Sequence, residues 1–156
     1  MTVAHDEMLP EIQELARAAS STTGFMEQTC QHIHERVSHF NWVGVYLVDP
    51  ADAACLLLGP FIGSFTPNLR IPFSTGLCGA AASTMQTVVV NDVSMDPRYL
   101  VMSDMVKSEI AVPILAKNKL AGVFNVESYF ANTFTKPEQE FVEACALLIG
   151  EYLGKG

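Results

Sequence analysis

Basic residues are scarce in this chain, and paired cysteines are missing. Nine lysines and arginines stand against seventeen aspartates and glutamates, a formal charge of −8 over 156 residues. A surface of that sign repels phosphate backbones, which argues against nucleic acid as a partner. No apolar run approaches the roughly 20 residues that a bilayer-spanning helix needs. The opening MTVAHDEMLPEIQEL has neither the basic nor the apolar region of a signal peptide, so the expectation is a cytoplasmic protein with no membrane partner. The four cysteines, Cys30, Cys55, Cys78 and Cys145, are widely and irregularly spaced, with no C-x-x-C, so neither a zinc site nor a disulfide framework is signalled. Cys30 and His34 share a helical face at i, i+4. Without a second ligand pair, that spacing predicts a buried thiol beside a half-exposed imidazole, and no metal. Internal repeats, low-complexity runs and linkers are absent too.

What is present is a foldable chain. Apolar residues make up 49% and charged ones 17%, which is the composition of one ordered domain over residues 1–156. Apolar spacing predicts a first helix over 8–20 and a second from about 22 to 37. Strands are expected over 42–48, 54–63, 69–73 and 87–92, with a short small-residue helix beginning near Gly76. Residues 93–108 show no period and read as a long loop, a kind that is usually functional. EIAVPIL and LAGVFNVES flank AKNK as a hairpin with Asn118 in its turn. A last helix follows Thr135, which forms a capping-box pattern with Glu138, and Pro137 suits its first turn. Phe141, Cys145, Leu148 and Tyr152 form its apolar stripe. Helices at both ends of a run of strands argue for α+β, a mostly antiparallel sheet with helices on one face. The long loop and short helix would then close a small-molecule pocket on the other.

Three polar spots stand against apolar surroundings. Glu109 opens the strand after the long loop. Asn125 and Glu127 alternate with Val126 and share one strand face, as do Trp42 and Tyr46. Two acids, an amide and two aromatics converging on one pocket would suit a small polar or zwitterionic molecule that bears an amine. Within the long loop, Tyr99, Met102 and Met105, with Met95, Leu100 and Val101, form an adaptable apolar lid.

The order NWVGVYLV, LLLGPFIG, LRIPFSTGLCGAAA, VVVNDV, SEIAVPI and LAGVFNVES resembles the GAF domain family over about residues 22–153, and within it the free methionine-(R)-sulfoxide reductases. The resemblance implies a central six-stranded antiparallel sheet, with N- and C-terminal helices on one face and a loop-covered ligand pocket on the other, and frequent homodimers. It makes Trp42 and Tyr46 the aromatic wall of the pocket and Glu109 its first acid. The family's D-x-D-S reads Asn125-Val126-Glu127-Ser128 here, so one carboxylate has become an amide and the other is a methylene longer. Of three cysteines in those reductases, only Cys78, in G-x-C-G, remains; the other two positions hold Asn68 and Met102. The resemblance gives position 102 to the attacking thiol, and a thioether cannot form the sulfenic acid such chemistry passes through. A resolving thiol is then also needed, and Cys78 alone does not fill both roles. The chain lacks the Cys-His dipeptide of bilin-binding members and all but the start of the cyclic-nucleotide pattern, so no cofactor is expected. The resulting expectation is a sensor-type binding domain without thiol redox activity. An active reductase using Cys78, and a dimerisation module with an incidental pocket, are the alternatives.

Overall fold

Strands rich in β-branched residues, with apolar side chains at every second position, form the middle of the molecule, and a computed structural model describes residues 2–155. In chain order the elements are α1 (Val3–Ala18), α2 (Thr22–Arg36), β1 (Trp42–Asp49), β2 (Asp52–Ile62), β3 (Arg70–Pro72), α3 (Gly76–Thr84), β4 (Val88–Val90), a 3-10 turn (Val93–Met95), β5 (Ser108–Ala116), β6 (Lys119–Ser128) and α4 (Lys136–Leu153). The six strands form one sheet in the order β3-β2-β1-β6-β5-β4, and every neighbouring pair is antiparallel. No helix among the described residues is long and apolar enough to cross a membrane.

Two turns start the pairing of the central strands, and bulges near Val45 and Ala121 then shift it by one residue. β5 reaches β6 through Lys117 and Asn118, both left-handed at φ 52° and 66°, the backbone of a type I′ hairpin. Asn118 tolerates that region better than most residues. Between β1 and β2, Arg70 of β3 grips the carboxylates of Asp49 and Asp52, so the third strand is tied to the turn joining the first two.

The faces of the sheet do different work. Val43 and Val45 of β1, Ile110, Val112 and Ile114 of β5, and Phe124 and Val126 of β6 point to one side. There they pack with Phe25, Ile33, Phe141, Cys145 and Ile149 from the helices in the main core. The opposite side is covered by α3 and the 93–107 segment, in smaller clusters around Trp42, Tyr46, Cys78 and Leu77. Cys30 and Cys145 are both core residues, and burial raises the Cys30 thiol to about 12.

Helix termini depart from the sequence reading twice. α1 starts five residues early because Thr2 and His5 close a reciprocal cap: His5 N–H donates to Thr2 Oγ1, and Thr2 N–H donates to His5 Nδ1. A histidine at the third helical position is not the usual partner for such a cap. At α4, Thr135 is the N-cap but makes no side-chain capping bond. Glu138 instead faces two imidazoles, 3.3 Å from His5 Nε2 and 3.7 Å from His39 Nε2.

Candidate functional site

Alternation along three adjacent strands puts the polar residues on the face away from the main core. Ala111, Asn125 and Gly44 are cross-strand partners, and so are Glu109, Glu127 and Trp42. The two glutamates therefore stand side by side on neighbouring strands, an arrangement that destabilises when both are charged. They share a small cavity with Tyr46, Asn125, Cys78 and Leu100, and about 10 Å³ of it is open, room for about one water. Glu109, Asn125 and Glu127 are 4%, 1% and 5% exposed.

Asn125 holds the centre. Its Nδ2 donates one hydrogen to Glu109 Oε2 at 2.9 Å and the other to the Ile110 carbonyl at 3.0 Å. Glu127 Oε2 is buried without a hydrogen-bond partner. Burial lifts the Glu109 carboxyl to about 7, against the Asn125 hydrogen bond and with the help of Asp96. Burial and then Glu109 push Glu127 well above the usual carboxylate range. The same environment acts on the thiol. Cys78 is 3% exposed, and burial followed by the charges of Glu109 and Glu127 raises it well above its ordinary value. A thiol so placed stays protonated and is a poor nucleophile.

Around this centre the expected residues divide. Tyr46 lines the cavity and donates its hydroxyl to the Asn68 carbonyl at 2.8 Å. Trp42, expected on the aromatic wall, stands one layer behind it. Its ring centroid is 6.2 Å from that of Tyr46 and 5.4 Å from that of Phe61, and its Nε1–H donates to the Ser64 carbonyl. Gly44 makes this possible, because a Cβ there would fall 2.6 Å from Trp42 Cζ3. In the loop, Met102 packs inward between the two smaller clusters with Tyr99 and Leu100. Met105 and Met95 do not join the lid: they are 57% and 79% exposed, and the turn at 103–106 directs Val106, not Met105, into the cluster with Leu77, while the 3-10 turn at 93–95 buries Val93 and leaves Met95 outside.

Four contributors escaped the sequence reading. Ile71 reaches the cavity wall from β3, and Gly76 and Leu77 from the start of α3. Asp96 bears on Glu109 from the segment between β4 and β5, which the sequence marks only as an aperiodic loop. No group of three or more histidine, cysteine or acidic side chains that could hold a metal occurs among the described residues.

A family model described as the GAF domain matches residues 22–153. The chain belongs to the GAF domain family. This GAF domain is 37% identical over 112 residues to the free methionine-R-sulfoxide reductase of Saccharomyces cerevisiae, spanning 71% of this chain and 62% of the yeast protein's length. It is 28% identical over 130 residues to the enzyme of that name from Escherichia coli, spanning 83% of this chain and 76% of the other. Among solved structures, the free methionine-R-sulfoxide reductase of Neisseria meningitidis in complex with its substrate superposes with a TM-score of 0.89 at 30% identity, covering 97% of this chain and 90% of that one.

Proposed function

We propose that this GAF domain binds a small zwitterionic molecule through its amine at Glu109 and Glu127, and does not reduce it by thiol chemistry. The observation that carries the binding half is Glu127 Oε2, an acceptor buried beside a second carboxylate with no donor to meet it. A buried acceptor left unmade costs about 1–3 kcal/mol, more if charged, and an ammonium supplies the missing donors together with the missing charge. Similarity to reductases named for free methionine-R-sulfoxide, an α-amino acid, points to that compound as a candidate ligand.

Sulfur chemistry supports the second half. Position 102 carries a thioether and position 68 an amide. Cys78, the remaining thiol of the site, is buried under two carboxylates that oppose its ionisation. Chemistry at this centre would need a thiolate that the surroundings suppress.

Calorimetric titration with free methionine-R-sulfoxide, alongside a turnover assay on the same compound with dithiothreitol, tests both halves. Binding without turnover is the expected result. Turnover abolished by Cys78→Ser would overturn the non-enzymatic reading, and absence of binding would overturn the site. Introducing Met102→Cys with Asn68→Cys is expected to produce partial turnover, since both changes fall beside the Cys78 cavity.

A further inference from the structure

The carboxylate cavity as it stands admits about one water, whereas small-molecule sites enclose several hundred Å³. Next to it lies a surface cleft of about 470 Å³ between the start of α3 and residues 97–100. Phe73, Thr75, Arg98 and Tyr99 contribute to its lining. The two spaces have Gly76 and Leu100 in common as wall residues. Gly76 is left-handed at φ 71°, and a Cβ there would sit 3.4 Å from Leu100 Cβ, so the partition between cavity and cleft is one leucine resting on a glycine. Leu100 belongs to no helix or strand.

We propose that Leu100 is a movable partition and that the ligand spans both spaces: an α-amino compound of dipeptide length, with its ammonium at Glu127 and Glu109 and its carboxylate in the cleft near Arg98. The inference rests on the amine-binding reading above and names the ligand class. In a free amino acid the carboxylate sits one carbon from the ammonium, so both charges enter a cavity already walled by two acids. Lengthening the molecule by one residue separates them and takes the anion out of that field. The cleft suits the displaced half. Arg98 holds Asp96 through Nε and Nη2, and a guanidinium has five N–H donors, so hydrogens remain for a second carboxylate. Thr75, the N-cap residue of α3, makes no side-chain capping bond, and Phe73 and Tyr99 supply apolar wall to the cleft.

Calorimetric titration of the wild-type protein with L-methionine and with L-methionylglycine tests the assignment. The dipeptide is expected to bind at least about tenfold more tightly. Arg98→Ala is expected to bring that ratio close to one, and Leu100→Trp, which fills the passage, to abolish binding of both. Methionine bound as tightly as the dipeptide, or more so, would overturn the spanning ligand while leaving the amine site standing. If neither compound binds, and n-butylamine does not bind either, the amine reading fails and the spanning ligand falls with it.

Discussion

Glu109 and Glu127 are direct cross-strand partners on β5 and β6, both buried, and Asn125 donates to Glu109 while one oxygen of Glu127 meets no donor. Most of the behaviour expected of the protein without ligand follows from this pair.

Stability should fall as pH rises through neutrality. Glu109 has a folded-state value near 7, against an ordinary value of 4.5, and Glu127 is raised as well. Between those limits the folded protein binds more protons than the unfolded chain, so unfolding becomes easier with increasing pH. The contribution is fully present below about 4.5 and lost as pH passes about 7. Thermal unfolding followed from pH 5 to 8 should show this slope, and Glu109→Gln should flatten it. A slope unchanged in the variant would show that another group carries it.

Asn125→Asp should destabilise the fold and steepen the same dependence. The substitution removes the donor to Glu109 and the Ile110 carbonyl and adds a third acid beside two. A loss of about 1–3 kcal/mol is expected near pH 7.5, shrinking as the pH is lowered. Chemical denaturation at the two ends of the range measures it.

Gly44→Ala should disturb the sole tryptophan. The new methyl carbon would fall within 2.6 Å of the Trp42 ring, which is buried between Tyr46 and Phe61. A destabilisation of about 1–3 kcal/mol from overpacking is expected, with a red shift of tryptophan emission in the folded state. Unaltered emission and stability would mean that the ring yields at no cost.

Thiol labelling should be slow in the folded state at all four cysteines. Each is free and buried. With 5,5′-dithiobis(2-nitrobenzoic acid), native protein should react at the rate of unfolding, and denatured protein should give four equivalents at once. Rapid native reaction of one thiol, absent in Cys78→Ser, would mark Cys78 as reactive.

Periodicity made the architecture legible from sequence. Val43, Val45, Phe124 and Val126 alternate with the polar and aromatic residues of the other face, and that pattern alone assigns Asn125, Glu127 and Tyr46 to one side. The register that sets Glu109 against Glu127 depends on the hairpin turn that Asn118 signals and on a bulge at Ala121, which moves the pairing by one residue and which Asn118 does not signal. Contacts that depend on the path of loops were not legible. The turn at 103–106 decides that Met102 packs inward and Met105 outward, and Gly44 decides where the indole of Trp42 lies; neither has a period to reveal it. Glu138 was assigned to a helix cap by its spacing, and a histidine 133 positions earlier engages it instead.

Each central strand serves two masters one residue apart. Even small drift along the chain is therefore intolerable: deleting a single residue from β6 would turn Phe124 and Val126 toward the cavity and bury Glu127 among the helices. Drift in side-chain identity is another matter, because residues on the cavity side can be exchanged without touching those that hold the helices. A backbone that superposes with a TM-score of 0.89 on a relative sharing 30% of its residues is what such a division permits. A change of length in these strands costs both faces at once, whereas a change of side chain costs only one.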